Sequence, residues 1–449
     1  MHGNDGSLGM IVNGLEKVIN GGNYIKFLNE LDRRGTGGTT GSWELERNVV
    51  LEGFRLFRFY VVKDQLSNPD AAVLSGETWV KTIKTKLFAF QNDDDSNTSI
   101  IISGLLTFLT LSSLPGSYKK FLVQRGGVEC AITMLEDHSR NQEISKLACA
   151  LLLSLSLNEK DGLNANHRNI ITVVKKLISI VQNDDTYGTD FALRVIYHLT
   201  FHKHKISDTG TGCFVIKSLR ESKTNIVALL NVLKKENPSE STVEATVFLL
   251  WRLSVPKDDI DDANISFVSS NDMVETVIST MDSYDSISIR AACFGIIANI
   301  SMRSEFQVDF AQIVFLSMHN FFLVTNNIDE RLATCALHAI CNMLEIPRIQ
   351  KLLRSDQRIM ESILFLMKKY PKSEELVEFA CLAIGHASRN APGIKESFMS
   401  LGAFDLVRDA FEEFVTTRAD NISFDVKDAS LCAFATLTGT LSIFFLLNQ

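Results

Sequence analysis

Two stretches of this chain are copies of one pattern: IRAACFGIIANIS, ending at Ser301, and ERLATCALHAICNML, ending at Leu344. Superimposed, they place Asn299 on Asn342, a step of 43 residues. Self-similarity at a period of about 20–50 residues marks a solenoid, a propeller or an array, and both copies space their apolar residues as a helix does. With Asn299 as position zero, the register extends both ways to Thr110, Ser154, His198, Arg252, Asn342, His386 and Thr436. Six residues before zero stand Gly104, Ala148, Ala192, Thr246, Cys293, Ala336, Ala380 and Ser430, all small. Two before zero stand Phe108, Leu152, Ile196, Leu250, Ile297, Ile340, Ile384 and Phe434, all large and apolar. Position +1 is apolar throughout, and position +2 is Ser or Thr everywhere except Leu344. On a helix, −6, −2 and +1 fall on one stripe, which should be buried, with the small residue admitting a neighbouring helix. Positions −4 and 0 point away from that stripe.

A repeat array of this kind overrides the several globular domains that 449 residues would otherwise suggest. Seven prolines in the whole chain fit an all-helical protein. The net charge of −8 argues against a general nucleic-acid binder, whose footprint is basic. Most of the eight cysteines sit inside apolar helical stretches (Cys149, Cys293, Cys335, Cys381, Cys432), the usual place of a buried free thiol. With no secretory signal in MHGNDGSLGMIVNG, the expected compartment is reducing: cytoplasmic, with the nucleus also open.

Along the chain, residues 1–43 read as a flexible glycine-rich segment. The run RRGTGGTTG has no Lys-Ser/Thr after it and no strand before it, so a phosphate loop is not indicated. Residues 44–75 carry the helical pattern Val49, Val50, Phe54, Phe57, Val61 and read as a degenerate repeat or a cap. Residues 76–449 form the array. Each unit has a middle helix, a polar turn and the long third helix defined above. The expected middle helices are Thr78–Gln91, Val128–Glu136, Asn169–Gln182, Thr224–Lys235, Met273–Met281, Gln312–Val324, Arg358–Lys369 and Phe404–Val415. Turns rich in Asp, Asn and Ser separate them from the third helices and should cap those helices. Shorter first helices precede some units, as at Tyr118–Gln124, Ile349–Leu353 and Ile394–Met399. The longer units carry insertions near His202–Thr211 and Thr416–Phe424.

Gly126-Gly127-Val128 and Gly402-Ala403-Phe404 stand immediately before or at the start of middle helices. With a short first helix, this glycine turn and an Ala-rich third helix bearing Asn at zero, the chain resembles the armadillo-repeat family. The resemblance covers about eight units, from near Ser75 to the C-terminus. It implies an all-α, right-handed α-solenoid of about eight three-helix repeats of the ARM/HEAT type. It further implies a non-catalytic protein-binding scaffold or adaptor that holds a partner or an extended peptide along the groove lined by its third helices. A different role, nucleotide exchange factor for heat-shock ATPases, is open to similar folds.

By that resemblance the partner-binding groove would be lined by Arg194, His198, Arg252, Asn299, His338, Asn342 and His386. This mixed basic and polar series would suit an acidic or carboxylate-bearing segment. The repeated Trp that accompanies Asn in importin-alpha-like chains is absent at −4, which disfavours a receptor for basic import signals. An alternative role for the same Asn and His side chains is to satisfy backbone groups between neighbouring repeats. Cys335, His338 and Cys341 form C-x2-H-x2-C, but that spacing sweeps around a helix and reads as structural thiols rather than a zinc site. No catalytic motif, cofactor-binding motif or calcium-loop spacing appears, so neither an enzyme nor a cofactor is expected. The uncharged run Ala429–Gln449 matches the repeat register in its first half, and a partner contact or a missing next repeat is favoured there over a membrane anchor.

Overall fold

The structure is a computed structural model describing residues 13, 48–58, 83–85, 87, 95–114, 118–138, 140–156, 167–182, 188–200, 211–255, 271–301, 328–344, 346–389, 391–416 and 424–438. The glycine-rich segment apart from Asn13, the expected middle helix Gln312–Val324, the insertion cores and residues 439–449 lie outside them. Every regular element among the described residues is a helix. The chain divides into two compact units, Met1–Glu221 and Ser222–Gln449.

In the first unit, residues 48–58 are helical and bury Val49, Val50, Phe54 and Phe57. They are followed by α1 (Asp95–Ser113), α2 (Tyr118–Gln124), α3 (Gly127–Asp137), α4 (Gln142–Ser156), α5 (His167–Gln182), α6 (Gly188–Thr200) and α7 (Thr211–Arg220). The third helices α1, α4 and α6 pack one on the next. The N-terminal segment is tied to α1 by Arg58, whose Nη1 donates to the Ser103 carbonyl at 2.6 Å and the Ser103 and Thr107 hydroxyls at 3.0 and 3.2 Å. A hydrogen-bonded guanidinium can be half-buried at modest cost. Helix α7 has no counterpart among the first helices expected from the sequence. It buries Val215, Ile216 and Leu219, a short set of apolar residues whose helical pattern is brief.

The second unit holds α8 (Lys223–Leu233), α9 (Glu240–Ser254), α10 (Asn271–Ser283), α11 (Ile287–Ser301), α12 (Glu330–Met343), α13 (Pro347–Ser355), α14 (Arg358–Lys369), α15 (Glu374–Ser388), α16 (Pro392–Ser400), α17 (Ala403–Phe411) and α18 (Phe424–Thr438). Its third helices α9, α11, α12, α15 and α18 likewise pack in succession. The helix expected over Phe404–Val415 stops at Phe411 and widens into a π turn over Glu412–Thr416, a change that leaves Glu412 exposed while Phe414 is fully buried.

The register read from the sequence is the packing register. Every residue at −6, −2 and +1 is buried in all eight third helices. The small residue at −6 has the purpose expected of it: a Cβ on Gly104 would run into the Leu87 side chain. Polar turns cap the third helices as composition demands. Asp329 Oδ1 accepts from the Leu332 N–H at 2.7 Å, Ser239 Oγ from Thr242 N–H at 3.2 Å, and Asn141 Oδ1 from Ile144 N–H at 3.1 Å. Gly126 and Gly402 adopt φ of 84° and 83°, the left-handed conformation that an L side chain resists. Their residue type is therefore dictated by the turn into α3 and α17.

Candidate functional site

Neighbouring third helices are joined by a recurring hydrogen-bond arrangement centred on one carbonyl. The last four carbonyls of a helix lack intrahelical partners. In α9 the Trp251 carbonyl (position −1) accepts from the Ser254 hydroxyl at 2.7 Å, and from Asn299 Nδ2 of α11 at 3.4 Å. Asn299 Nδ2 also donates to the Ser254 hydroxyl at 2.9 Å. One repeat on, the Ala298 carbonyl accepts from the Ser301 hydroxyl at 2.9 Å and from Asn342 Nδ2 at 2.9 Å. At the next joint, where Leu344 replaces the usual +2 hydroxyl, the Cys341 carbonyl takes the Leu344 N–H at 3.3 Å and His386 Nδ1 at 3.3 Å. A carbonyl only accepts, so His386 carries its proton on Nδ1 in that contact. The +2 hydroxyls and the zero-position side chains thus serve the same acceptor from two sides.

Asn299, Asn342 and His386 are therefore inter-repeat ties, whatever else they contact. Asn299 is buried, while Asn342 and His386 are half-buried and still present part of their surface outward. Asn342 spends one amide N–H on the Ala298 carbonyl, which leaves its second N–H and its amide oxygen for another partner.

The same face of the second unit carries an arginine on an aromatic shelf. Phe248 and Trp251 of α9 lie with ring centroids 5.7 Å apart. The Trp251 indole covers Gly295 of α11, where a Cβ would overlap the ring. With no side chain at Gly295, Arg331 reaches across from α12, and its guanidinium carbon sits 4.9 Å from the Phe248 ring centre and 5.6 Å from that of Trp251. Cation–π contact holds such a guanidinium without neutralising it. Arg331 is exposed, and among the described residues no carboxylate pairs with it. Arg331, His338 and Asn342 stand at −11, −4 and 0 of α12, a single helical stripe.

The remaining groove candidates have individual surroundings. Arg252 is half-buried on α9. His338 stacks on Phe379 of α15, centroids 4.1 Å apart and planes within 6°. Burial there lowers the imidazole pKa below its ordinary 6.5, so this histidine is neutral at physiological pH. Arg194 and His198 belong to α6 of the first unit, where Arg194 is paired with Asp190 at 3.0 Å and His198 meets Tyr197 edge-on. The basic character of this residue series is thus weaker than its composition suggests. On this face Arg331 is an exposed cation with no carboxylate partner among the described residues, and the sequence reading passed over it. Its signal was present: position −11 is one stripe with −4 and 0.

Cys341 Sγ lies 3.6 Å from His386 Nδ1, and Cys335 sits on another side of α12. Among the described residues no three His, Cys, Asp or Glu side chains gather to hold a metal. Burial pushes the Cys335 thiol up to about 11 and Cys381 to about 12, which keeps both protonated at neutral pH and unreactive. No helix among the described residues is long and apolar enough to cross a membrane.

No protein-family model matches the chain, and no curated protein matches it. Similarity is found among solved structures. The armadillo-repeat protein beta-catenin, from work on the phosphorylation switch controlling its interaction with cadherin, superposes with a TM-score of 0.64 at 15% identity. That match covers 91% of this chain and 68% of the other. An engineered protein matches 59% of this chain and 96% of its own, at 18% identity and a TM-score of 0.42. With all-helical described residues and successive third helices packed in one register, the superposition on beta-catenin makes the fold an all-α, armadillo-type solenoid.

Proposed function

We propose that this chain is a non-catalytic scaffold or adaptor that holds an extended segment of a partner protein across the third helices of its second unit. Arg331 carries the reading. An exposed guanidinium fixed on Phe248 and Trp251, with no described carboxylate partner, is arranged to meet an acidic side chain. The outward capacity of the Asn342 amide supplies main-chain hydrogen bonding to an extended peptide beside it. Beta-catenin, with the same fold, interacts with cadherin, which supports a protein partner for this fold type. The buried, protonated thiols agree with a reducing intracellular setting.

The test is affinity capture from a cell extract with the intact chain and an Arg252→Glu/Arg331→Glu variant. These side chains are half-buried and exposed, so the variant should fold, and matched helicity and melting verify that. Partners captured by the intact chain and lost by the variant support the reading. Identical capture by both removes this face from consideration. Alanine replacement of Asn299, Asn342 or His386 is unsuitable here, since it would loosen the joints as well as the surface.

A further inference from the structure

A second surface, on the middle helices, is independent of the face described above. Between α14, the start of α15 and α17 lies a cavity of about 350 Å³. Its floor is apolar, made by Met367, Val377, Leu406 and Ala410. Lys368 on α14 and Lys372 in the turn after it are exposed on one wall. Among the described residues neither lysine has an ion-pair partner. On the opposite wall Asp409 is bound by Arg408 at 3.1 Å and Glu413 is half-buried, so the exposed cationic edge of the rim is the lysine side. Beside the cavity, Phe365 is 55% exposed, large for a phenylalanine on a packed helix. Phe365 and Lys368 follow one another at i and i+3 on one stripe of α14, and Lys372 stands in the turn just after its end.

The geometry points to a docking site for an amphipathic helical segment of a partner protein, acidic on one flank, that seats one bulky apolar side chain in this cavity. The floor has no converging polar groups of the kind that orient a small ligand, which argues for a side chain rather than a metabolite. Phe365 extends the apolar strip by one turn. The lysine pair then selects a carboxylate about one turn from the anchor, on the flank facing α14. The Asp405, Asp409 and Glu412 side of α17 opposes an anionic lipid surface, which leaves a peptide of mixed face as the complement.

The test uses the full chain as bait for a phage-displayed library of short random peptides. Counter-selection is on a Lys368→Glu/Lys372→Glu variant, with Leu406→Trp as a second variant that fills the cavity. The expected result is enrichment of peptides with Leu, Phe or Trp three or four positions from Asp or Glu. A synthetic representative should lose about tenfold or more in affinity on either variant. It should also slow hydrogen exchange in residues 358–372 and 403–413. No enrichment, equal affinity for the variants, or protection confined to the third helices would overturn the assignment. Binding of the intact chain to phosphatidylserine vesicles that both variants abolish would reassign the patch to lipid.

Discussion

The α1–α4 joint of the first unit is built differently from the α9–α11 and α11–α12 joints of the second. In the first unit, α1 and α4 meet through two hydroxyls, Ser112 and Ser154, whose oxygens are 2.7 Å apart. Ser112 also bonds the Leu109 carbonyl at 2.8 Å, but Ser154 is too short to reach that acceptor. In the second unit, Asn299 and Asn342 are long enough to reach it, and each −1 carbonyl receives a donor from both helices. The α15–α18 joint has neither arrangement, and the Ser388 hydroxyl at +2 is buried without a hydrogen-bond partner among the described residues. Thr436 turns its hydroxyl onto carbonyls of its own helix, Cys432 at 3.1 Å and Ala433 at 2.9 Å. The amide joints therefore occupy the middle of the second unit, beside Arg331. The lesson is that position zero sets how firmly one repeat is fastened to the next, and the same position lines the face proposed to bind.

The comparison is broken most severely by Asn299→Asp. It replaces a buried donor with a carboxylate facing the Trp251 carbonyl, and a loss of about 3–5 kcal/mol is expected in urea unfolding of the full chain. Asn299→Ala, which only removes the bonds, should cost about 1–3 kcal/mol, and near-equal losses would show that charge is not what matters at this joint. Gly295→Ala forces the Trp251 indole off its seat, with about 1–3 kcal/mol lost and a change in Trp fluorescence as Arg331 loses its shelf. Unchanged fluorescence would mean that the shelf does not depend on the missing side chain. At the first-unit joint, Ser154→Ala should cost only about 0.5–1.5 kcal/mol, whereas Ser154→Asn should recover a bond to the Leu109 carbonyl, seen as slower hydrogen exchange at the end of α1.

The smallest effect concerns pH at the α15–α18 joint. Burial, then Asp425, Glu375 and Glu374, raise the Glu378 carboxyl to about 7 from its ordinary 4.5. A carboxyl whose folded pKa is raised carries no cost while protonated. The cost appears as pH climbs above 4.5 and is complete once pH passes about 7. Glu378→Gln should therefore flatten the melting temperature across that window and exceed the parent at pH 8. A parallel shift of both proteins would remove Glu378 as the cause.

How much could be read in advance follows from what each feature is made of. The buried stripe was visible because small and large side chains recur at helical spacing, and Gly104, Ala336 and Ala380 announce close approach by their size alone. The glycine turns were visible for a similar reason, since Gly126 and Gly402 occupy a backbone conformation that few other residues accept. The double-donor joint was visible only in part. Ser or Thr at +2 stood out as a repeated residue type, but its sharing of a carbonyl with the next repeat depends on helix-to-helix placement. The shelf was hidden because Trp251 sits at −1, outside the stripes, and because its partner Arg331 is 80 residues away. Helix α7 and the π turn after Phe411 involve short segments whose apolar pattern is too brief to set a boundary.

The joints have one more consequence. Their hydrogen bonds run only between third helices, over sequence separations of 42 for Ser112–Ser154, 45 for Asn299–Ser254 and 44 for Asn342–Ala298. The steps of 54 and 50 residues in the register add their extra length between third helices. The step of 50 falls at the α15–α18 joint, where Thr436 turns its hydroxyl back onto its own helix instead of across. At the tied joints position is counted from helix to helix rather than along the chain, because each bond spans one repeat.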